Sequence, residues 1–446
     1  MPDRTLQKSS SNGHNPNSKT EIRGRTGFTE LPNGLRIITF NSNALQTMGL
    51  GYGVDYGSIN SLKTTGYVEP PHQTEHMVYQ GTQDKKSLEI FESLADFCND
   101  DNAEVLAEGT VFHIGVNKNK FEPATKLFAD MTIRSTIPKD RLDNTQDVII
   151  EERKEQREDP QTILSINVAK ELYRDHELIS RAILPSDDEI KSVTHDMIID
   201  SYSQKYTPDK SVVTVVGAMS HHRMVDMIEK YFSDFRGKSE DHHIEPASVD
   251  HEYREMVVPN LKVNNASQSI VNFALKLPNF GPGADQIEET TSTIVSSLLE
   301  VRLLRLLREE RGLVYSVCVN DEKSSFYGLL EINARTSNEK LSQAKDLIHK
   351  ELASFSSGDI TYEEFRKQRK REYDRAKSNS ENNVNIATSM AALYLQHHDP
   401  FYWEASEEMM KNINIDQFRE FCRKYLDPEK ALVTTLVPHE TYKAVA

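Results

Sequence analysis

The sequence predicts an α+β protein made of two homologous halves, each an antiparallel-rich sheet with helices packed on one face. Strand-like and long helical segments follow one another without the strict alternation that is typical of a parallel sheet. A short motif recurs after about half of the chain, which indicates an internal repeat. Between the two copies, residues 236–258 are polar and interrupt the hydrophobic periodicity, as a linker does.

The recurring motif joins a helical segment to an apolar strand. Each copy has a Lys-Tyr pair, then a proline, and then an apolar strand. The two prolines, Pro208 and Pro428, are separated by nearly half of the chain. We therefore divide the chain into four parts: a disordered N-terminal arm (1–27), a first half (28–235), the linker (236–258) and a second half (259–446).

The elements of the first half follow from local patterns. Asn33-Gly34 marks a turn, and residues 36–40 and 48–54 have strand composition. Ser87 is a suitable N-cap for a helix with an apolar face of Leu88, Phe91, Leu94, Ala95 and Cys98. The remaining patterns predict a strand over 105–116, helices over 139–158, 164–174 and 194–205, and a strand over 212–216.

Composition limits the classes of function. The chain has 446 residues, 37% of them hydrophobic, which is enough to bury more than one core. A formal net charge of −16 argues against nucleic acid or an anionic membrane surface as the main partner. An ordinary acidic protein is the simpler explanation of this charge, although a basic substrate or partner also fits. No apolar run is long enough to span a membrane.

Cysteine usage and the N-terminal arm bear on location. Cys98, Cys318 and Cys422 are far apart in sequence, which fits a reducing compartment and no disulfide framework. The arm lacks the apolar core of a secretory signal. We therefore expect a cytoplasmic protein. The mitochondrial matrix is the alternative, because the arm is poor in acidic residues, as transit peptides are.

The clearest chemical signal is the H-x-x-E-H motif formed by residues 72–76. Residues i and i+4 lie on one helix face, so His72 and His76 can reach one zinc ion. Glu75 projects beside them and is placed to take a proton from an activated water. Pro70 and Pro71 precede the motif and can begin its helix. The alternative is that these are surface side chains of an ordinary helix.

A third ligand is needed, and Glu152 is the candidate. It continues a helical stripe that contains Leu142, Thr145 and Ile149. Burying an isolated carboxylate is costly, and coordination to a metal would remove that cost. The alternative is that Glu152 marks the point where the helix reaches water, or that it pairs with an arginine. We expect solvated side chains at its neighbours, Glu151, Arg153 and Lys154.

These motifs resemble the inverted-motif zinc peptidases of the pitrilysin family, in particular the branch of mitochondrial processing peptidase and its bacterial relatives. In that family a glutamate follows the second histidine at a characteristic distance along the chain, and Glu152 stands at that distance from His76. Met77 and Gly81-Thr82 resemble the continuation of the family motif, and residues 31–35 resemble its opening. The resemblance extends from about residue 28 to residue 437.

The resemblance implies further site residues. Asn102 and Ala103 match the start of an edge strand that binds extended substrate by β-strand addition. Arg308 and Tyr315 match an Arg–Tyr pair that donates hydrogen bonds to the substrate oxyanion from the second half. From the residues alone, the favoured interpretation is that Arg308 lies on a charged helix face and Tyr315 in a core strand.

Three positions depart from the family pattern. Glu69-Pro70-Pro71 replaces a Gly-x-Ala type of approach to the first histidine, and Gln73-Thr74 replaces a more apolar pair. Thr145 stands where many relatives carry a glutamate near the metal ligands. These departures affect the expected efficiency more than the identity of the site, because all three ligands and the base are present.

The resulting hypothesis is a zinc metalloendopeptidase that hydrolyses unfolded peptides in an enclosed chamber, with one Zn2+ per catalytic half. The resemblance also implies pairing, either as a homodimer or with a sister subunit, and Arg308 and Tyr315 would then serve either their own zinc site or a partner's. Two alternatives stay open: a non-catalytic structural subunit of the same fold, and a dedicated presequence-processing subunit.

Overall fold

The protein is described by a computed structural model that covers residues 18–42, 46–181, 184–240, 243–249, 254–260 and 268–438. Within these residues the chain forms two α+β halves, and each half is built on one sheet. All strand pairs are antiparallel except one parallel pair in each sheet. The predicted fold class is confirmed. Within the same residues, no helix is both long and apolar enough to cross a membrane.

The first half contains a seven-stranded sheet. Its elements in chain order are β1 (Lys19–Arg23), β2 (Thr26–Glu30), β3 (Arg36–Asn41), β4 (Thr47–Val54), α1 (Ser58–Thr65), α2 (Pro70–Val78), α3 (Ser87–Phe97), β5 (Cys98–Val105), β6 (Thr110–Asn117), α4 (Phe121–Ile133), α5 (Leu142–Glu158), α6 (Pro160–Leu172), α7 (Glu177–Arg181), α8 (Asp187–Ser192), α9 (His195–Lys205), β7 (Ser211–Gly217) and α10 (His221–Phe232). The strand order is β1-β2-β3-β7-β4-β6-β5, so β5 lies at an edge.

The second half contains a five-stranded sheet. Its elements are β8 (Arg254–Asn260), β9 (Gln268–Leu277), α11 (Gln286–Leu303), a π-helical segment (Leu304–Glu310), β10 (Val314–Lys323), β11 (Gly328–Ser337), α12 (Leu341–Ser357), α13 (Tyr362–Asn379), α14 (Asn383–His397), α15 (Tyr402–Asn412), α16 (Ile415–Tyr425) and β12 (Leu432–Pro438). The strand order is β10-β11-β9-β12-β8, so β10 lies at an edge.

The repeat that the sequence predicts is present in the structure. Pro208 and Pro428 each begin a single 3-10 turn, which leads into β7 and β12 respectively. Strand β7 pairs in parallel with β3 and antiparallel with β4, and strand β12 pairs in parallel with β8 and antiparallel with β9. Helices α5 and α13 begin at Leu142 and Tyr362, which are separated by the same interval as the two prolines.

The two halves exchange one helix each. The helices of the first half pack on one face of their sheet, and α14 of the second half covers the other face. In return, α6 of the first half covers a face of the second sheet. Strand β7 is buried along its whole length, so both of its faces need an apolar cover. At Gly49 of β4, a Cβ would overlap the carbonyl oxygen of Asn383, which is why this strand carries glycine there.

Two of the predicted boundaries are wrong. Residues 19–27, expected to be disordered, contribute β1 and the start of β2. Strand β1 is exposed and polar, so its order comes from backbone pairing with β2, which composition does not reveal. Residues 1–17 lie outside the described residues. The linker predicted to end at residue 258 overlaps β8, which pairs in parallel with β12.

The segment from α3 to β6 also differs from the prediction. Helix α3 buries Ile90 and Leu94, whereas Leu88 and Phe91 are exposed. The strand predicted over 105–116 is a hairpin of two strands, and β5 begins as early as Cys98. The sequence of β5 is rich in Asp and Asn, which have low strand propensity. Pairing with β6 decides its conformation, and the charges suit an exposed edge strand.

Candidate metal centre

The H-x-x-E-H residues lie on α2, as predicted. Pro70 and Pro71 occupy its first turn. The polar residues Gln73 and Thr74 face inward and are satisfied there, since Gln73 donates to the carbonyl oxygen of Ile190 at 2.8 Å. The amide of Gln146 on α5 donates to Gln73 Oε1 at 3.0 Å and so ties α2 to α5. The buried amides therefore fix the orientation of α2 relative to the helix that carries the third candidate ligand.

Three metal-binding atoms converge between α2 and α5. The Nε2 atoms of His72 and His76 are 3.2 Å apart. Glu152 Oε2 lies 3.7 Å from His72 Nε2 and 3.6 Å from His76 Nε2. Ligands at about 2.0–2.1 Å from a tetrahedral zinc ion lie roughly 3.3–3.4 Å from one another. The donor set and its spacing therefore fit zinc. A carboxylate oxygen of Glu75 also lies within 4.8 Å of the ligand atoms of the two histidines.

We call the three atoms His72 Nε2, His76 Nε2 and Glu152 Oε2 the metal triangle. Glu75 lies beside it, with its Oε2 at 3.5 Å from His76 Nε2. Burial, opposed by the nearby His72 and reinforced by Glu152, raises the pKa of Glu75 to about 7. Burial and the neighbouring His72 lower the pKa of His76 to about 4. His76 is therefore a neutral imidazole near pH 7, which is the form that binds metals. A carboxylate with a pKa near neutrality suits a general base.

The structure corrects the reason given for Glu152. Thr145 and Ile149 of the predicted stripe are buried, but the side chain of Glu152 is 44% exposed. It lies at the end of the buried stripe and reaches the histidines from the open side. The cost of burying a carboxylate therefore gives no argument for ligation here. The argument comes from the distances to the two histidines.

Glu69 and Arg153 form a second layer around His72 that the sequence did not predict. The Glu69 side chain is 2% exposed, and its Oε1 accepts from Arg153 Nη2 at 2.9 Å. Its Oε2 lies 3.2 Å from His72 Nδ1. Burial acts to raise the pKa of Glu69, but the bond to His72 and the charge of Arg153 outweigh it and lower that pKa. An ionised Glu69 can only accept, which favours the tautomer of His72 with the proton on Nδ1 and the lone pair of Nε2 available for a metal.

Arg153 was expected to be solvated, and that expectation is wrong. Its side chain is mostly buried, and its Nη2 lies 3.1 Å from His72 Nδ1 as well as near Glu69. The sequence did contain one sign of this contact: Glu69, one helical turn before His72, departs from the family pattern. No local pattern connects Glu69 to Arg153, because the two residues are 84 positions apart.

Arg308 and Tyr315 are not brought to the metal ligands. Arg308 lies on the exposed π-helical segment, with its guanidinium 3.8 Å from Glu309. Tyr315 is 57% exposed on the edge strand β10, so the alternative of a core position for this residue is wrong. Among the described residues, no hydrogen bond or ion pair joins either side chain to the residues of the metal triangle or to Glu75.

Asn102 and Ala103 lie on β5, at the outer edge of the seven-stranded sheet. They pair with His113 and Phe112 of β6 on the inner side. In the part of the chain that the structure describes, the outer side of β5 has no strand partner. Helix α2 packs against β5, so the edge lies close to the metal triangle. An extended peptide can add to such an edge through main-chain hydrogen bonds.

Two models of known protein families match this chain. The model described as "Insulinase (Peptidase family M16)" matches residues 37–186, and the model "Peptidase M16 inactive domain" matches residues 192–372. Together the two matches cover well over half of the chain. The chain belongs to peptidase family M16. The first match contains both α2 and α5, and the pitrilysin-family resemblance inferred from the motifs is confirmed.

Individual relatives agree with this assignment. The chain is 25% identical over 334 residues to "Uncharacterized zinc protease YmxG" of Bacillus subtilis, which is 74% of this chain and 79% of the relative. It is 28% identical over 228 residues to a probable mitochondrial-processing peptidase subunit beta of Schizosaccharomyces pombe, which is 50% of this chain and 46% of that protein.

Solved structures show the same fold. A protease from Helicobacter pylori superposes with a TM-score of 0.81 at 19% identity, over 94% of this chain and 100% of that chain. A chain of Complex III2 from Candida albicans superposes with a TM-score of 0.74 at 13% identity, over 92% of this chain and 95% of that chain.

Proposed function

We propose that this M16 protein is a zinc-dependent endopeptidase that hydrolyses unfolded peptides. The observation that carries the proposal is the convergence of His72 Nε2, His76 Nε2 and Glu152 Oε2 at distances that suit tetrahedral zinc, with Glu75 beside them. Relatives named as zinc proteases support the choice of metal.

The residues divide the chemistry between them. His72, His76 and Glu152 hold the ion, and Glu69 fixes the ring of His72. A zinc ion held there would supply Lewis-acid activation of water and of the scissile carbonyl. Glu75 Oε2 takes a proton from the attacking water and returns it to the leaving amine. Strand β5, with Asn102 and Ala103, binds the peptide in an extended conformation, which restricts substrates to unfolded segments.

The oxyanion donors come from a second chain in this proposal. Arg308 and Tyr315 are exposed and make no bond to the metal triangle of their own chain, as described above. A partner would supply them across a chamber enclosed between the two chains. We further propose a cytoplasmic location, which the three free cysteine thiols support, with the mitochondrial matrix as the alternative.

The test combines metal content with cleavage. Purified protein should bind one zinc ion per chain by atomic emission, and it should cleave a quenched unfolded peptide until a chelator is added. Glu75→Gln should keep the zinc and lose cleavage by at least about a hundredfold, because the base is removed and the ligands are not. A Glu75→Gln protein with full activity would overturn the role of Glu75.

A non-catalytic subunit is the second candidate, since the fold also occurs in Complex III2 of Candida albicans. The complete set of ligands and base in this chain favours the peptidase. Protein that contains no zinc after purification and reloading, and that cleaves no peptide in a library, would favour the structural role. Mapping of cleavage sites in the same library would separate a general peptidase from a presequence-processing subunit.

A further inference from the structure

The two exchanged helices, α14 and α6, rest on their sheets in different ways. Thr214 on β7 and Thr434 on β12 are separated by the same interval as the two repeat prolines, so they are equivalent residues. Thr214 pairs with Gly51 of β4. Thr434 pairs with Asn272 of β9. Gly51 and Asn272 therefore occupy equivalent positions in the two sheets.

In the first half, glycine lets α14 lie directly on the sheet. A Cβ at Gly51 would overlap Thr214 Oγ1 and would lie 3.0 Å from the carbonyl oxygen of Ala387 in α14. Thr214 Oγ1 donates to that carbonyl oxygen at 2.7 Å. The helix backbone therefore contacts the sheet, and the buried threonine hydroxyl has its partner.

In the second half, Asn272 replaces that glycine, and polar atoms are left unpaired. A side chain at this position keeps the backbone of α6 away from the sheet. Among the described residues, three buried side-chain atoms of one cross-strand row have no hydrogen-bond partner: Asn272 Oδ1, Asn333 Nδ2 and Thr434 Oγ1. Buried polar groups are nearly always paired, so this row points to a polar binding partner.

A cavity of about 350 Å³ lies between α6 and the second sheet. Its walls come from α6, from the β10–β11 hairpin and from the turn between β5 and β6. The charged residues that line it are Glu322 and Glu331, and no lining residue in the described part of the chain is basic. Asn272 Nδ2 donates to Glu331 Oε1 at 2.9 Å, so the amide with the unpaired oxygen touches the carboxylate of the cavity wall.

The cavity wall carries excess negative charge. Glu331 is 8% exposed. Burial raises its pKa to about 7, the bond from Asn272 opposes this rise, and the charge of Glu322 adds to it. Burial and the charge of Glu108 raise the pKa of Glu322 as well, although the hydroxyl of Tyr327 donates to it. A cation between the two carboxylates would relieve both their repulsion and the cost of burying them.

Two aromatic rings complete the cavity. Tyr173 and Tyr327 line it, and their ring centroids are 5.3 Å apart. The ammonium group of Lys276 lies 5.2 Å from the ring centroid of Tyr173, so this ring already attracts positive charge from outside the cavity lining. The ring faces suit a flat cation.

We propose that this cavity binds an organic cation, a guanidinium or alkylammonium group, between Glu331 and Glu322. The two carboxylates and Asn272 Oδ1 are all acceptors, and a guanidinium group carries only donors. The group can belong to a small free amine or to the arginine side chain of a peptide. No lining residue belongs to the metal triangle, so the site does not depend on the proposed peptidase function.

Calorimetric titration of the full chain with butylguanidine tests the chemistry of the site. Butylguanidine should bind, and butylurea, its neutral analogue of the same shape, should bind at least about tenfold more weakly, because it lacks the charge. Glu331→Gln should weaken butylguanidine binding at least about tenfold, since the charged acceptor is lost and the side-chain shape is kept. Binding should be equal in zinc-loaded and chelator-treated protein.

Matched variants separate binding from folding. Glu339→Gln removes an exposed carboxylate just after β11 and should bind like the wild type. Ala169→Phe fills the cavity from α6 without a change of charge and should lose binding. Thermal unfolding of each variant without ligand shows whether the fold is kept.

Two further ligands identify the source of the cation. Agmatine represents a free amine, and a short capped peptide with one arginine represents a side chain. Binding of agmatine alone would indicate a small-molecule site, and equally tight binding of the peptide would indicate a side-chain site. Both results support the cation site, provided that Glu331→Gln weakens them.

Three results would overturn the proposal. The first is no binding of butylguanidine up to about 10 mM, which would assign the unpaired atoms to ordered water only. The second is equal binding of butylguanidine and butylurea. The third is unchanged binding in a folded Glu331→Gln protein. None of these results bears on zinc content or peptide cleavage, which test the proposed function separately.

Discussion

The contact between Glu69 and His72 allows a sharp test of how this site prepares a metal ligand. Glu69, which is itself held by Arg153, favours the tautomer of His72 with the proton on Nδ1. If Glu69 is replaced by alanine, Arg153 Nη2, at 3.1 Å, becomes the remaining neighbour of Nδ1. A guanidinium can only donate, so the proton of His72 shifts to Nε2, the atom that must bind zinc.

The magnitude follows from the loss of this outer partner. Removal of a group that orients a metal-bound histidine costs about 10–100-fold in metal affinity, which is roughly 1.4–2.8 kcal/mol. We expect Glu69→Ala at the upper end of that range, because the wrong tautomer is actively favoured. The double variant E69A/R153M removes the competing donor and should bind zinc more tightly than Glu69→Ala.

The assay is competition for zinc with a chromophoric chelator at fixed pH, which needs no peptidase activity. Arg153→Met alone should leave zinc affinity closer to the wild type, since Glu69 still orients the ring. Its unfolding free energy should fall by about 3–5 kcal/mol, because the buried Glu69 carboxylate loses the positive charge that pairs with it. Wild-type affinity in Glu69→Ala, or weaker binding in the double variant than in Glu69→Ala, would refute the reasoning.

Three further predictions concern the partner, the pH dependence and the exchanged helix. Mixing inactive Glu75→Gln chains with Tyr315→Phe chains should restore cleavage above that of either alone, since one of the two sites then has both wild-type residues. Burial raises the pKa of Glu331 from 4.5 to about 7, so ionisation of this carboxyl group destabilises the folded state. The unfolding free energy should therefore fall as the pH rises from about 4.5 to 7. Glu331→Gln should remove this fall and raise the unfolding free energy by roughly 2–3 kcal/mol at pH 8. Gly49→Ala should lower the unfolding free energy by at least about 1–3 kcal/mol, because the added methyl meets the carbonyl of Asn383.

Each of these predictions has a decisive negative result. No recovery in the mixed chains, under conditions where subunits exchange, would place the Arg–Tyr pair in its own chain or outside the site. Equal pH dependence of chemical denaturation in the wild type and Glu331→Gln would show that this carboxyl titrates normally. A Gly49→Ala protein as stable as the wild type would mean that α14 can move away from β4.

Features that depend on residues close in sequence were predicted well. The spacing of His72 and His76 is that of one helical turn, and Pro70 and Pro71 mark where that helix begins. The repeat was visible because Pro208 and Pro428 open the same local turn. The edge strand β5 was only partly predicted, since its acidic sequence contradicts its conformation and only pairing with β6 decides it.

The sequence by itself therefore predicted the α+β repeat, the candidate histidine pair with Glu75 beside it and, through the family resemblance, the candidate third ligand Glu152. Only the tertiary structure decided that Glu69 and Arg153 surround His72, that α6 and α14 are exchanged between the sheets, and that Arg308 and Tyr315 lie away from the metal triangle. The physical reason is the same in each case. Helical periodicity and turn chemistry act over a few residues, whereas these contacts join residues far apart in the chain and depend on how whole helices pack.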